Sequence, residues 1–185
     1  ACGGSTDTAK TDQADGKDTF TVGFDQDFPP FGYVGDDGEF TGFDIEMATE
    51  CAARMGKKIV LQPIDWDAKD MELEAGTIDC IWNGFTMNGR EDQYTWTDPY
   101  MDNSQVVVVK KDSGINTLAD LAGKVVEVQK ESAAETALND EEHADLTASF
   151  AQLLSVGEYN TAFMDLESGA VDAVAIDIGV AQFQI

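Results

Sequence analysis

Two successive runs of alternating strand and helix patterns restrict the fold of this chain more than any other feature. TFTVGF alternates Phe20, Val22 and Phe24, as a half-buried strand does, and FDIEMATECAARMG carries an apolar stripe at helical spacing that ends at Gly56. KKIVLQPID and IDCIWNG predict two more strands, with a short helix at Met71–Ala75 between them. This order predicts an α/β fold with a largely parallel sheet and helical cover.

A second unit of the same kind follows SQVVVVKK. KVVEVQ predicts a strand that ends at Gln129, and SAAETALNDEE predicts a helix with Ser132 as its N-cap. DLTASF is interpreted as a strand, EYNTAFMDLESG as a helix, VDAVAID as a strand and IGVAQFQI as a further helix. The two units predict two α/β lobes, residues 20–105 and 106–185.

Polar and aromatic residues stand at the carboxyl ends of the predicted strands, where ligands bind in open α/β sheets. They are Asp25, Asp65, Trp66, Asn83, Gly84, Gln129 and Asp177. Arg90 follows one of these ends and is one of only two arginines; the other, Arg54, lies in an amphipathic helical pattern. An isolated guanidinium in such a loop is either solvated or holds an anion. Its place beside a predicted cleft between two lobes favours an anion.

The charge balance limits the classes of partner. Eleven Lys and Arg face 36 Asp and Glu, a formal net charge of −25. Nucleic acids and anionic membrane surfaces are bound by basic patches, so this composition excludes both as direct partners. The sequence contains no apolar run of the ~18 residues that predict a transmembrane helix.

Residues 1–19 differ from the rest in composition. ACGGSTDTAKTDQADGKDT is almost free of apolar residues, which is typical of a disordered linker. A cysteine at position 2, at the head of such a linker, predicts the lipidated Cys2 of a bacterial lipoprotein that has lost its signal peptide, although an expression scar with a free cysteine has the same composition.

Cys51 lies in a predicted helix and Cys80 in a predicted strand. An exported protein permits a disulfide between them, but both positions favour buried thiols. With one histidine, His143, and no CxxC or HxxxH spacing, no metal site or cofactor is expected.

Five stretches resemble the extracytoplasmic solute-binding proteins of polar amino-acid ABC transporters, bacterial solute-binding protein family 3. They are VGFDQDFPPFGYVGDDGEFTGFDIEMA, IDCIWNGFTMNGRE, TDPYMDNSQVVVVKK, LADLAGKVVEVQKESAAE and LESGAVDAVAID, and they follow the family's order. The resemblance implies a two-lobed, hinged binding protein that closes over one free amino acid and delivers it to a permease. It also implies an extracytoplasmic location, anchored to the membrane through lipid on Cys2.

The resemblance assigns roles around the ligand's charged ends. Arg90 matches the arginine that pairs with the α-carboxylate, a role that suits a planar guanidinium better than a lysine. Thr86 and the backbone of Gly84 would add hydrogen bonds, and Ser132 would add donors from the second lobe. Asp177 matches the carboxylate that pairs with the α-ammonium. Simpler roles remain open: Ser132 and Asp177 as helix N-caps, and Gly84 as a turn residue.

Two departures from the family pattern weaken part of this match. Where the family has QxGSS, this chain has QKESAA, so Glu131 replaces a glycine and Ala133 a hydroxyl residue. The turn TMNGRE is also one residue shorter than the usual pattern. The first departure weakens the match at the second-lobe carboxylate site, whereas Arg90 still lies within reach of the ligand despite the second.

Side-chain specificity is assigned to Asp25, Phe28, Trp66 and Asn83. Phe28 and Trp66 match the aromatic positions that sandwich the ligand's side chain, although each is also consistent with a core residue. Aromatic faces plus Asp25 favour a cationic side chain such as arginine, lysine or ornithine. Asp25 also accepts from amides, so glutamine, histidine and cystine remain open.

The family continues well past Ile185, so the second lobe is expected to be incomplete and the product C-terminally truncated. Exposed sheet edges then predict a homodimer formed by domain swapping.

Two other classes compete with a binding protein. A cyclohexadienyl or arogenate dehydratase shares the fold and needs an acid or base, for which Asp25, Glu131 and Asp177 are candidates. No triad, metal motif or phosphate-binding loop supports catalysis, and the chain is predicted not to be an enzyme. A sensory ectodomain would need a fused membrane span.

Overall fold

Strands and short helices alternate along the structure, a computed structural model that describes residues 18–185. The predicted lipidation site at Cys2 and most of the predicted linker lie outside these residues, and the first strand begins at Thr19. In chain order the elements are β1 (Thr19–Phe24), β2 (Asp27–Phe28), β3 (Gly32–Val34), β4 (Phe40–Thr41), α1 (Phe43–Arg54), β5 (Lys58–Pro63), α2 (Lys69–Ala75), β6 (Cys80–Ile81), β7 (Gln105–Val109), β8 (Val125–Gln129), α3 (Ala133–Leu138), α4 (Ala144–Ser149), β9 (Gln152–Val156), α5 (Tyr159–Ser168), β10 (Ala173–Asp177) and α6 (Ile178–Gln184).

The two larger sheets are built mainly from parallel strands, as the alternating pattern predicts. The first has the order β5-β1-β6 and is parallel throughout. The second has the order β7-β10-β8-β9, in which β7 alone runs antiparallel to its neighbour. Strands of the first sheet lie before residue 82 and those of the second after residue 104.

Strand β8 carries different residues on its two faces. Val126 and Val128 are fully buried in an apolar cluster with Leu121 and Leu138. Because successive side chains in a strand point to opposite faces, Gln129 lies on the other side, where it is buried among polar neighbours. The end of β8 therefore brings a polar side chain to the edge of the sheet.

The interpretation of DLTASF as a strand is wrong. Residues 144–149 form α4, and the strand follows as β9. Leu146 of α4 and Phe150, the residue that follows the helix, both pack on the second-sheet core. The Thr147 hydroxyl also donates to the Leu138 carbonyl, which ties α4 to the end of α3.

The aromatic loop after β1 contains a small sheet that the sequence does not predict. β2, β3 and β4 pair antiparallel within it. Its residues Phe28 and Phe31 pack against Tyr159 and Val180, which follow β7 in the chain. The two halves of the chain therefore share one apolar cluster at this point.

Cys51 and Cys80 are free thiols, as favoured from the sequence, but each is half-buried rather than fully buried. Burial raises the pKa of Cys80 to about 12, so this thiol is a poor nucleophile at neutral pH. None of the helices among residues 18–185 combines the length and apolar character needed to span a bilayer.

Candidate functional site

A narrow cleft between the two main sheets gathers eight of the nine predicted site residues; Asp25 lies in the neighbouring cavity. The cleft is also lined by three residues that the sequence does not assign to it, Gln129, Ala133 and Tyr159. The eight predicted residues are Phe28, Trp66, Asn83, Gly84, Thr86, Arg90, Ser132 and Asp177.

Arg90 is buried in this cleft, with 8% of its surface exposed. One guanidinium nitrogen, Nη1, donates to the Thr86 carbonyl at 3.0 Å, and Nη2 donates to the Glu131 carbonyl at 2.7 Å. The guanidinium also lies 5.0 Å from the centre of the Phe85 ring. Burial lowers the pKa of Arg90, yet its hydrogen bonds within the described residues go to neutral carbonyls. A buried cation in this setting is suited to receive an anion.

Asp177 ends β10 and is 4% exposed. Its Oδ1 accepts from Gln105 Nε2 at 2.6 Å and its Oδ2 from Asn103 Nδ2 at 3.0 Å. It stands at the N-cap position of α6, but its side chain makes no cap hydrogen bond, so capping does not explain it. Burial raises the pKa of Asp177, while Gln105, Asn103 and the charge of Arg90 oppose that shift. Each carboxylate oxygen keeps a second acceptor site.

Glu131 joins the two sides of the cleft through its backbone. Its carbonyl accepts from Arg90 Nη2 and also from the Trp66 indole Nε1 at 3.2 Å. Glu131 has φ 60°, a left-handed conformation that favours glycine. The backbone therefore keeps the conformation suited to a glycine, although this chain carries a glutamate at that position.

Trp66 forms a wall of the cleft and is 5% exposed. The Lys69 ammonium lies 5.1 Å from the centre of its ring, and Phe85 meets it edge-on at 4.9 Å. On the other side of the site, Phe28 stacks on Phe31 at 5.6 Å. Because a lysine already occupies the Trp66 ring, cation–π attraction from Trp66 to a second cation is weakened.

Asp25 lies in an acidic cavity of about 270 Å³ that shares Trp66 with the cleft. Asp25 is 4% exposed, and its Oδ2 accepts from Gln129 Nε2 at 2.6 Å. Burial raises its pKa, against hydrogen bonds from the Asp27 backbone and Gln129. The other carboxylates of the cavity belong to Asp27, Asp65 and Glu158.

Three predicted residues, Ser132, Asn83 and Gly84, also have structural roles. Ser132 Oγ accepts from the Glu135 N–H at 3.1 Å and so caps α3. Asn83 Oδ1 accepts from the Asp25 N–H at 3.2 Å. Gly84 has no left-handed φ; a Cβ there would come within 2.9 Å of the Phe28 and Phe31 rings. Close approach of aromatic rings, rather than a tight turn, therefore requires this glycine.

Sequence reasoning missed the residues that support Asp177 and Asp25. Asn103 bridges Thr86 Oγ1 (3.1 Å) and Asp177, while Gln105 pairs with Asp177 across β7 and β10. Tyr159, 1% exposed, donates to the Ala175 carbonyl at 2.9 Å. The sequence offered one indication for Gln129, namely its position at the end of a predicted strand. The hydrogen bonds of Asn103, Gln105 and Tyr159 join residues that lie 16 to 74 positions apart in the sequence, so no local pattern predicts them.

Away from the cleft, Asp140, Glu142 and His143 bring three ligand-type atoms within 4.8 Å of one another. The group lies at the surface, and Asp140 raises the pKa of His143 through a hydrogen bond. Surface acidic groups of this kind commonly hold no metal, so no site is assigned to it.

Comparison with known proteins identifies the family of this chain. Residues 20–164 match the model of the bacterial extracellular solute-binding proteins, family 3. The L-cystine-binding protein TcyJ of Escherichia coli K12 is 32% identical over 162 residues, which cover 86% of this chain and 59% of the relative. The chain thus spans about three-fifths of the length of that curated relative.

Solved structures agree with the sequence comparison. A substrate-binding protein of an ABC uptake transporter from Streptococcus pneumoniae, with bound histidine, superposes with a TM-score of 0.88 at 34% identity, over 96% of this chain and 74% of that one. An ancestral arginine-binding protein bound to arginine gives 0.82 at 37% identity, over 91% and 74%. The resemblance and the two-lobed α/β fold expected from the sequence are confirmed. The chain therefore belongs to family 3 of the bacterial extracellular solute-binding proteins.

Proposed function

We propose that this chain binds a free amino acid in the cleft between its two lobes, 20–105 and 106–185. Arg90 receives the α-carboxylate and Asp177 the α-ammonium. The observation that carries the proposal is the pairing of a buried guanidinium, hydrogen-bonded to carbonyls, with a buried carboxylate in one narrow cleft. A zwitterion presents both complementary charges at a fixed short separation, which few other small ligands do.

Neighbouring groups complete the carboxylate site. Thr86 and the Gly84 backbone lie beside Arg90 in the first lobe, and Ser132 faces them from the second. A ligand carboxylate would compete with the Glu131 carbonyl for Arg90 Nη2. Charge favours the carboxylate in that competition, since a charge-assisted hydrogen bond is about twice as strong as a neutral one.

The ligand's side chain is polar and most favourably basic. From the cleft it would pass Phe28 and Trp66 toward Asp25 and the acidic cavity, whose volume of about 270 Å³ exceeds what one side-chain end requires. The Lys69 ammonium already lies over the Trp66 ring, so Trp66 acts mainly as an apolar wall. The preference for a cationic side chain then comes from charge pairing with Asp25.

Delivery to an ABC importer permease is part of this proposal. Relatives of the chain include proteins named as cystine-binding and arginine-binding components, one of them explicitly of an ABC transporter. The chain acts by binding and lobe closure, without catalysis, outside the cytoplasm. A lipid on Cys2 would hold it at the membrane surface.

A thermal-shift panel of the common L-amino acids plus ornithine and cystine tests the proposal. A ligand at about 100 times its Kd should add ~2.7 kcal/mol, a rise in midpoint of several degrees. Arg90→Ala should abolish the shift, whereas Arg54→Ala should keep it, because Arg54 is exposed and forms an ion pair with Glu50 on its own helix face. A shift that survives Arg90→Ala would contradict the assigned site. Turnover of prephenate or arogenate by the same sample would favour the dehydratase instead.

A further inference from the structure

A second pair of acidic side chains crosses the acidic cavity beyond Asp25. Asp27 lies on β2 and is half-buried, and Glu158 stands at the exposed N-cap position of α5. Both line the cavity of about 270 Å³. The two come from opposite lobes of the proposed division, so any change in their interaction affects how the lobes meet.

Helix α5 contacts Asp27 directly. Asn160 Nδ2, in the first turn of α5, donates to Asp27 Oδ1 at 2.7 Å. Glu158, two residues before Asn160, lines the same cavity as Asp27, and its carboxyl group raises the pKa of Asp27. Two ionised carboxylates that line one cavity repel each other, and a hydrogen bond between them would require one proton.

Among the residues that the structure describes, no positive side chain lines the cavity to balance these charges. The other carboxyl groups of the cavity lining are those of Asp25 directly after β1, Asp65 before the Trp66 turn, and Glu158 at the start of α5. On β3, Tyr33 lies opposite Asp27 and carries no charge near neutral pH. Burial and then the Glu158 carboxyl raise the pKa of Asp27 to about 7. The cavity therefore takes up either a proton or a cation near neutral pH.

We propose that Asp27 and Glu158 form a cross-lobe acid pair that shares a proton until a cationic ligand side chain enters the cavity, and that this cation then replaces the proton. The proton leaves to bulk water, so ligand binding is coupled to proton release. This inference rests on the proposed function, and it adds Asp27 and Glu158 to Asp25 as residues that select a cation.

The sign of the pH dependence follows from this exchange. Above the pKa of the pair the carboxylates are free to accept a cation. Below it the ligand competes with a proton, so the affinity falls. For a pKa near 7, a basic ligand should bind about tenfold more weakly at pH 6 than at pH 8, and a neutral ligand should not show this dependence.

Isothermal titration of L-arginine in buffers of different ionisation enthalpy measures the released protons. The full chain should release about half a proton per ligand at pH 7. In the Asp27→Asn variant, ligand binding should release no proton at this site. This variant should bind L-arginine equally well at pH 6 and pH 8. Glu158→Gln, at the exposed rim, provides a second variant with little risk to folding, and should also reduce the release.

Glu167→Gln is the matched control, because it removes one exposed carboxylate from the same helix away from the cavity. It should leave proton release unchanged. L-Arginine that binds the unaltered chain without proton release, or a pH dependence that survives Asp27→Asn, would overturn the acid pair and leave the proposed function intact. A chain that binds no amino acid would overturn both.

Discussion

Arg90 and Arg54 show how much the surroundings of one residue type decide its role. Arg54 is exposed and pairs with Glu50 at 2.8 Å on its own helix. Such a pair contributes little to stability because water screens it. Arg90 is buried beside Phe85 and donates to two carbonyls, a placement that costs desolvation and indicates a binding role.

Arg90→Lys keeps the positive charge and removes the planar fork. We expect ligand affinity to fall by ~10- to 100-fold, because a lysine cannot form the bidentate pair with a carboxylate. Titration calorimetry with the amino acid that shifts the melting midpoint measures the loss. Arg54→Lys should bind normally. An Arg90→Lys variant with unchanged affinity would show that the fork is not used.

Glu131→Gly should stabilise the chain by ~1 kcal/mol, since Glu131 adopts φ 60° and glycine has no Cβ to strain there. Urea denaturation measures the free energy of unfolding. Glu131→Ala removes the same charge but keeps the Cβ, so it should show little of this gain. Equal stability of the two variants would contradict backbone strain at this position.

Helix α1 is fixed to the rest of the molecule through a buried carboxylate at its first turn. Asp44 is 1% exposed, and its Oδ1 accepts from the Tyr100 hydroxyl at 2.6 Å. That hydroxyl also lies 3.2 Å from the Asn83 carbonyl, next to Gly84 in the cleft. Burial raises the pKa of Asp44 to about 6, and the Tyr100 bond opposes the shift. The contact thus links the segment between the sheets to the wall of the site.

Tyr100→Phe should lower the free energy of unfolding by ~1.5–3 kcal/mol at pH 8, where Asp44 is ionised and loses a charged hydrogen bond. Because burial raises the pKa of Asp44 in the folded chain, the free-energy cost of burying its negative charge applies only above that pKa. The loss should therefore shrink at pH 5, where folded Asp44 is largely protonated. Denaturation at both pH values measures this, with Tyr33→Phe as the control. A loss independent of pH would contradict the link to Asp44.

The sequence predicts elements well where one periodicity is unambiguous and less well elsewhere. The apolar stripe of α1 has a single interpretation, and its helix is found. Leu146, Ala148 and Phe150 fit a period of two as well as a spacing of four, and packing on the second core selects the helix. The small sheet β2-β3-β4 has strands of two or three residues, too short to show a period.

The site follows the same rule. Asp25 and Asp177 were predicted because they stand at the ends of strands in alternating α/β units, and Arg90 because it is isolated. Asn103 and Gln105 were missed because their role depends on the register of β7 against β10. Sequence patterns predict where polar side chains leave a sheet, whereas the partners that orient them depend on long-range pairing.

Contacts between the two halves of the chain hold the cleft narrow. Gln129 Nε2 donates to Asp25 Oδ2 at 2.6 Å and to the Gly157 carbonyl at 3.0 Å, and Glu131 joins Arg90 to Trp66. Hinged binding proteins close when a ligand adds contacts to the closed form. Polar contacts that already cross the cleft should raise the closed population before ligand enters.

Gln129→Ala should shift the equilibrium toward the open form. We expect apparent ligand affinity to fall by ~3- to 10-fold, because the binding-competent form becomes rarer, with a larger radius of gyration in small-angle scattering. Gln152→Ala, an exposed glutamine on β9, should change neither quantity. An unchanged radius together with unchanged affinity would show that Gln129 does not control closure.

Comparison of an amino acid with its own α-carboxamide tests whether the cleft recognises the zwitterion. The probe is the amino acid that gives the largest thermal shift, titrated calorimetrically against this chain beside its carboxamide. The two share the side chain and the α-ammonium, so Asp177 and the acidic cavity treat them alike, and only the group facing Arg90 changes. We expect the carboxamide to bind at least ~30-fold more weakly, since it loses a charge-assisted bidentate pair. Equal affinities would contradict the role of Arg90 and, with it, the proposed binding mode.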